Sequence, residues 1–296
     1  MSRFINQLFN KKEQNKRNNL KFTQDPSLEG ILHSPANSSS TRYKTAACQS
    51  VGRERRNNED TLFVMTGALG ALDHLMDAGI FLVADGMGGH QNGEVASQLA
   101  AKAASQYLLS AIFSASLDEN KDGDALNFRK LVRGAVGEAH NLILKRVPGG
   151  GTTLTLVLAI GENLYSAHVG DSRIYLMDSN GKMNLKTRDH SLVKRLIDLG
   201  EITESIARDH PQRNVLYRAL GQSDPFEPDI DQFTLEKGER ILICSDGLWG
   251  VLDSDQMLEI ARKTAGLDEM ARCLVQAAND QGGPDNISVV LVERVQ

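Results

Sequence analysis

Cysteine is scarce in this chain: Cys48, Cys244 and Cys273 are the full set of 3. They are odd in number, far apart and never in Cys-x-x-Cys spacing. That pattern argues against a disulfide framework and a thiolate zinc site, and it suits a reducing compartment. Cys244 closes the apolar run Ile241-Leu-Ile-Cys, where a small buried side chain is expected in preference to a nucleophile. Long apolar runs are missing too. No stretch approaches the ~18 residues of a membrane-spanning helix. The opening Met1-Ser-Arg-Phe-Ile-Asn-Gln-Leu-Phe has too short an apolar segment, and no small-residue cleavage site, for a secretory signal. A cytoplasmic protein without a membrane span is expected.

Excess positive charge is also lacking. The formal charge is -5, and residues 1–40 hold six Lys or Arg against three acids, so the remainder sums to -8. A core of that sign offers no basic face for nucleic acid. Three ligand loops are incomplete. Gly149-Gly-Gly-Thr-Thr lacks the Gly-Lys-Ser/Thr of a phosphate-binding P-loop, and Gly86-Met-Gly88-Gly89 lacks the third glycine of a dinucleotide fingerprint. Asp118-Glu-Asn120-Lys-Asp122-Gly123 matches half a calcium loop, but Arg129 stands where a bidentate Glu is needed.

The 296 residues, 41% of them hydrophobic, suffice for one large domain with its own core. Residues 1–41 are rich in Asn, Lys, Gln and Ser and are expected to form a disordered basic tail. Within it, Phe4-Ile-Asn-Gln-Leu-Phe is either solvated or a short docking segment. Residues 42–296 carry globular patterning. Strands are expected at 61–65, 79–84, 152–160, 163–169, 172–177, 240–244 and 287–293. Helices are expected at 93–112, 126–147, 191–199, 254–264 and 267–279, the second stopped by Pro148 and three glycines. The connectors Gly161-Glu162 and Gly170-Asp171 are too short for parallel crossovers, so both predict antiparallel hairpins. The polar segment 201–228 reads as a flap, in which Arg208, His210, Arg213 and Arg218 are placed to meet a substrate. Antiparallel strands with paired helices in two places predict an α/β (α+β) fold in which helices sandwich stacked sheets.

Four acidic motifs punctuate this pattern: Asn57-Asn-Glu59-Asp60, Asp85-Gly-Met-Gly-Gly89, Ser245-Asp246-Gly and Asp285-Asn286. Each begins or ends an apolar run, so each carboxylate is expected where a strand meets a loop. Hard divalent cations such as Mg2+ and Mn2+ are held by a few carboxylates, carbonyls and waters, and paired ions drive in-line displacement at phosphorus. A metal-dependent phosphate hydrolase is the leading expectation.

Taken in order with Arg55-Arg, Gly151-Thr-Thr, Val169-Gly-Asp171-Ser-Arg173 and Asp189-His-Ser, these motifs resemble the bacterial branch of the type 2C metal-dependent protein phosphatases over about residues 43–294. The resemblance implies a central antiparallel β-sandwich flanked on both sides by antiparallel helix pairs, a four-layer α-β-β-α arrangement. It implies that Asp85 bridges two Mn2+ or Mg2+ ions, with the Gly86 carbonyl on the first, and that Asp246 and Asp285 hold the second. Glu59 and Asp60 complete the cluster, and Asp171 helps bind a looser third ion. Arg55 matches the family's phosphate-binding arginine, with Arg56 as its rival. Asp85 and Asp246 thus serve the catalytic step as well as the metals. A water shared by two such ions ionises near neutral pH and can attack phosphorus in line, so no protein nucleophile is needed.

The implied reaction is hydrolysis of phosphoserine and phosphothreonine in proteins, opposing a cognate protein kinase, by a monomer. The alternatives are a phosphoprotein-binding pseudophosphatase, which would have lost metal ligands, and a hydrolase of small phosphate esters. Met87 stands where many eukaryotic relatives carry a His proposed as general acid, so the proton donor is open; His90 is not the matching position. Asp189 is either part of the site or a helix cap. Thr152 and Thr153 either support the site or merely open a strand. His168, in an apolar strand, is expected to be a satisfied core histidine.

Overall fold

Period-two alternation in the strands organises the protein, since successive side chains point to opposite faces of a sheet. The computed structural model describes residues 42–295 except 72–73, 88–90, 117–126, 209 and 223–225. The expected tail, His90 and the calcium-loop imitation at 118–123 lie outside the described residues.

The chain runs β1 (Arg42–Ser50), β2 (Asp60–Ala71), β3 (His74–Met87), α1 (Gln91–Ser116), α2 (Phe128–Arg146), β4 (Gly151–Thr152), β5 (Leu154–Ile160), β6 (Asn163–Val169), β7 (Arg173–Met177) and β8 (Met183–Leu185). It continues through α3 (Leu192–Asp198), α4 (Glu204–Arg208), β9 (Asp229–Thr234), β10 (Arg240–Cys244), α5 (Asp246–Trp249), α6 (Ser254–Lys263), α7 (Leu267–Asp280) and β11 (Ile287–Val295). One sheet has the order β2-β3-β5-β6-β9, with β4 paired to the end of β3; the other has the order β1-β11-β10-β7-β8. All pairings are antiparallel.

Alternation sorts the apolar residues into three layers. Phe81 and Val83 of β3, Ile241 and Ile243 of β10, and Val290 and Val292 of β11 meet between the sheets. On β3 the intervening Ile80, Leu82 and Ala84 face the other way and pack with Ala100, Ala104, Val132 and Val136 of α1 and α2. On the second sheet Leu242, Cys244, Val289 and Leu291 pack against Met257 of α6 and Met270 and Leu274 of α7. Three apolar interfaces define four layers, helices-sheet-sheet-helices, as expected. Strands buried on both faces explain why 79–84 and 289–292 read as unbroken apolar runs.

One expected turn is different. Gly161 joins β5 to β6 as a hairpin at φ 60°, but Gly170-Asp171 carries the chain from β6 in one sheet to β7 in the other. The connector is as short as a hairpin loop because the two sheets stack directly over each other there. The expected strand 152–160 is also broken at Thr153, which leaves the ladder between β4 and β5. Segment 201–228 contains the short α4 and is tied down by the isolated bridges Thr152↔Leu220 and Ser191↔Leu216.

Phe81 is fully buried between the sheets and meets Tyr43 edge to face at 6.2 Å. Phe81→Ala is expected to lower unfolding free energy by about 3–5 kcal/mol, the usual cost of deleting a buried phenyl. Urea denaturation checks this; a loss below about 1 kcal/mol would contradict the inter-sheet packing.

Candidate active site

The alternation that builds the inter-sheet core also aims the carboxylates. Asp60 and Asp85 are register partners across β2 and β3, so both side chains project from the same face. On β3 that is the face of Phe81 and Val83, the one turned to the other sheet. Ser245 follows β10 in phase with Ile241 and Ile243, and Ser288 lies in β11 in phase with Val290. The pair β7 and β10 accounts for two more acids. Arg173 of β7 faces Cys244 of β10, and Asp171 precedes the first by two residues as Asp246 follows the second by two. Antiparallel register therefore brings Asp171 opposite Asp246 just beyond the ladder. Asp285 stands two residues before β11 at the same end. The site is the polar mouth of the layer between the sheets.

Hydroxyls hold these acids from behind. Ser245 Oγ and Ser288 Oγ both donate to Asp60 Oδ2, at 2.8 and 2.7 Å, joining one sheet to the other. Gln49 of β1 donates to Ser288 Oγ at 2.9 Å, and the Ser288 amide donates to Ser245 Oγ at 2.9 Å, which fixes the direction of both hydroxyls. Asp60 Oδ1 and Asp246 Oδ1 are covered yet without a hydrogen-bond partner. Around Asp85, the main chain is clamped: its N–H donates to Thr153 Oγ1 at 2.9 Å, and its carbonyl accepts from Thr152 Oγ1 and the Thr153 N–H, each at 2.8 Å. Both threonines thus support the site.

Asn286 bolts down the loop that carries Arg55 and Glu59. Its Oδ1 accepts from the Glu59 N–H at 2.8 Å, while its Nδ2 donates to the carbonyls of Val51 and Asn57 at 2.8 and 2.9 Å. The loop presses so closely on Asp285 that a Cβ at Gly52, which has φ +84°, would overlap the Asp285 carbonyl. A second close approach lies at the N-terminus of α1. A Cβ on Gly86 would strike the carbonyls of Gly93 and Glu59, and one on Gly93 would strike the Glu59 carboxylate. Glu59 is thereby placed against the first turn of α1, beside Gly86.

Charge in this mouth is concentrated and unfavourable. Burial pushes Asp60 up to about 7, against the lowering effect of its two serine bonds, and Asp246 and Asp285 push it in the same direction. Asp246 is raised to about 6 by burial and then by Asp285. Its interaction with the Asp85 carboxyl offsets part of that rise. Asp85 lies well above the usual carboxylate range through burial and then the charges of Asp60, Asp246, Asp171 and Asp285; Asp171 is raised by burial and then by Asp246 and Asp189. Asp85 and Asp246 are half-buried, so the solvent that still reaches them moderates the desolvation.

Other expected residues have different placements. Arg55 Nη2 holds Asp285 Oδ2 at 2.6 Å, so the arginine expected to bind phosphate is paired with a carboxylate. Arg56 is exposed and has no part in this pair. Asp189 caps no helix: Ser191 caps α3, accepting from the Lys194 N–H at 3.3 Å. Asp189 instead receives both Nε and Nη2 of Arg173, at 3.0 and 2.7 Å. In the flap, Arg218 Nη1 is engaged by Asp229 Oδ1 at 2.8 Å. His168 is the satisfied core histidine expected, bonded to Thr155 Oγ1 at 2.9 Å and the Arg188 carbonyl at 3.1 Å. Burial raises the Cys244 thiol to about 12, which removes it as a nucleophile. The serine clamp on Asp60 and the role of Trp249, whose indole N–H donates to the Asp171 carbonyl at 2.9 Å, were not read from the sequence.

The donor set fits hard divalent cations: several carboxylates, two of them with an unsatisfied buried oxygen, beside a glycine that the Gly93 and Glu59 carbonyls crowd closely. Among the described residues no three Asp, Glu, His or Cys side chains form a closed cage. Mg2+-type sites do not need one, since they use one or two carboxylates and keep several waters.

A family pattern described as Protein phosphatase 2C matches residues 56–290. The serine/threonine phosphatase stp of Listeria welshimeri is 36% identical over 248 residues, covering 82% of this chain and 92% of its own. The crystal structure of the Mycobacterium tuberculosis serine/threonine phosphatase PstP/Ppp superposes with a TM-score of 0.71 at 33% identity, over 86% of this chain and 99% of that one. A PstP catalytic domain solved with 2 manganese ions gives a TM-score of 0.68 at 32% identity, over 87% of this chain and 100% of that one.

A folded-state pKa raised above the unfolded value of 3.8 means that the native protein binds protons the unfolded chain does not, so stability falls as pH rises through about 4–7. In chelator at about pH 8, Asp60→Asn is expected to be about 1–3 kcal/mol more stable than wild type, with the gap narrowing at about pH 6. Calorimetric melting at the two pH values checks this. A variant less stable than wild type at both would contradict the repulsion.

Proposed function

Because this chain belongs to the protein phosphatase 2C family, we propose that its acidic mouth holds two divalent cations with substrate phosphate bound over them. The chain is a metal-dependent serine/threonine protein phosphatase, and Mn2+ or Mg2+ is its cofactor. The observation that carries the site assignment is the pair of covered, unpartnered oxygens, Asp60 Oδ1 and Asp246 Oδ1, inside one carboxylate cluster. Asp85 would bridge the two ions, with the Gly86 carbonyl on the first and Asp246 and Asp285 on the second. Glu59 and Asp60 would complete the cluster, and Asp171 would serve a looser third ion. When bound, such ions supply Lewis-acid charge and lower the pKa of water.

The remaining work belongs to the chain itself. Ser245 and Ser288 aim Asp60 and partly offset the rise in its pKa, since a carboxylate that accepts hydroxyl bonds is favoured in its charged form. Thr152 and Thr153 fix the Asp85 main chain, which also orients the Gly86 carbonyl. Arg55, paired with Asp285 across the mouth, would exchange that carboxylate for substrate, its guanidinium fork holding two phosphate oxygens. Met87 has no proton to give, so the leaving oxygen takes its proton from solvent in the mouth. We further propose that the substrates are proteins phosphorylated by a cognate kinase in the cytoplasm, and that the chain works as a monomer. Among the described residues no helix is long and apolar enough to cross a membrane.

Asp85→Asn and Asp246→Asn are each expected to abolish Mn2+-dependent hydrolysis of a phosphothreonine peptide while the far-ultraviolet circular dichroism stays unchanged. Most activity retained by both would remove the site assignment. Arg55→Ala is expected to raise KM about tenfold with a smaller loss in kcat; an unchanged KM would pass the phosphate role to another residue.

A further inference from the structure

Arg173, Trp249 and Asp189 form a polar group, half-buried at Arg173 and Trp249 and buried at Asp189, that the reaction described above does not use. Arg173 Cζ lies 3.6 Å from the centre of the Trp249 ring. The same guanidinium is held in its plane by two bonds to Asp189, at 3.0 and 2.7 Å, and by a third to Tyr175 Oη at 2.9 Å. A fork fixed on this many sides is a rigid platform, and the indole lies on it by cation–π attraction. The indole Nε1–H then points to the Asp171 carbonyl, 2.9 Å away.

The connections matter because of what they join. Trp249 ends the four-residue α5 that begins with Asp246. Asp171 lies in the connector that crosses between the sheets, opposite Asp246 and outside any ladder. Two like charges facing each other beyond the last strand pair repel, and no main-chain ladder bond is left to hold them at a fixed spacing. The Trp249 N–H bond closes that gap from the α5 side. Resting on the assignment of cations to this mouth, we propose that Trp249 and Arg173 are positioning residues that set the spacing of Asp171 and Asp246 and so tune the affinity of the ions these carboxylates hold.

The platform also touches the base of the flap. Asp189 adjoins His190, whose N–H donates to the Gly170 carbonyl at 2.7 Å and whose Nδ1 accepts from the Gly170 N–H at 3.1 Å. The Tyr217 N–H donates to the His190 carbonyl at 2.9 Å. Gly170 therefore takes its position from the 189–190 segment, and Asp171 takes its own from both that segment and Trp249.

The test is calorimetric titration of the chelator-stripped protein with Mn2+ alone, alongside hydrolysis of a phosphothreonine peptide across Mn2+ concentrations. Trp249→Phe keeps an aromatic ring over Arg173 and removes the N–H together with the pyrrole ring that carries it. It is expected to weaken one class of Mn2+ binding about three- to tenfold, the loss of one hydrogen bond. Its kcat at saturating Mn2+ should fall less than its Mn2+ affinity, and its melting temperature in chelator should stay near that of wild type. Arg173→Lys, which keeps the charge but breaks the fork, is expected to act in the same direction. Trp249 is the single tryptophan of the chain, so wild-type emission should be quenched by Mn2+ and not by Mg2+. Unaltered Mn2+ affinity in both variants would overturn the proposal while leaving the phosphatase reading intact. Wild-type protein that binds no Mn2+ would instead sink the reading on which the proposal rests.

Discussion

Repulsion among carboxylates is the constraint around which this molecule is arranged. Asp60, Asp171, Asp246 and Asp285 all raise the pKa of Asp85, and Asp246 and Asp285 raise that of Asp60, a gathering that a free surface would disperse. The protein keeps them together by attaching each to an element with little freedom to move. Two are register partners in one ladder, two face each other beyond the end of another, and Asp285 lies at the foot of β11 against a loop bolted by Asn286. The unfavourable energy is stored in the fold and returned when positive charge arrives, so metal binding and local stability are linked.

Stacked sheets are suited to this task. The layer between them is apolar through Phe81, Val83, Ile243 and Val290 and turns polar toward one end, where the same phase of the strands delivers Asp60, Asp85, Ser245 and Ser288. The serine clamp crosses from one sheet to the other, so any slip of the sheets would disturb Asp60 first. Packing and function are therefore set by one register. A shift of a single residue in β3 would turn Asp85 toward the helices and Phe81 out of the core.

Much of this was legible in the sequence because it follows from periodicity and spacing. The strands flanking each acidic motif, the two helix pairs and the layered α+β architecture were all read from apolar pattern. Asp85 and Asp246 were read from their position after continuous apolar runs. What escaped depends on contacts between distant segments. Gly170-Asp171 looks like any short hairpin, and only the stacking of the sheets makes it a bridge between them. Asp189 before a helix looks like a cap, yet Ser191 takes that place because Arg173 claims the carboxylate. Ser245 and Ser288 are ordinary strand residues until the partner sheet puts Asp60 within reach. The pairing of Arg55 with Asp285 was equally invisible, since it joins residues 230 apart in the chain.

The most direct measurement is anomalous X-ray scattering at the manganese edge from crystals of this chain grown with Mn2+. The account predicts two neighbouring peaks roughly 3.5–4 Å apart in the mouth between the sheets, with the Asp85 carboxylate between them and Asp246 against the second. Peaks elsewhere on the molecule, or none within reach of Asp85 and Asp246, would contradict it.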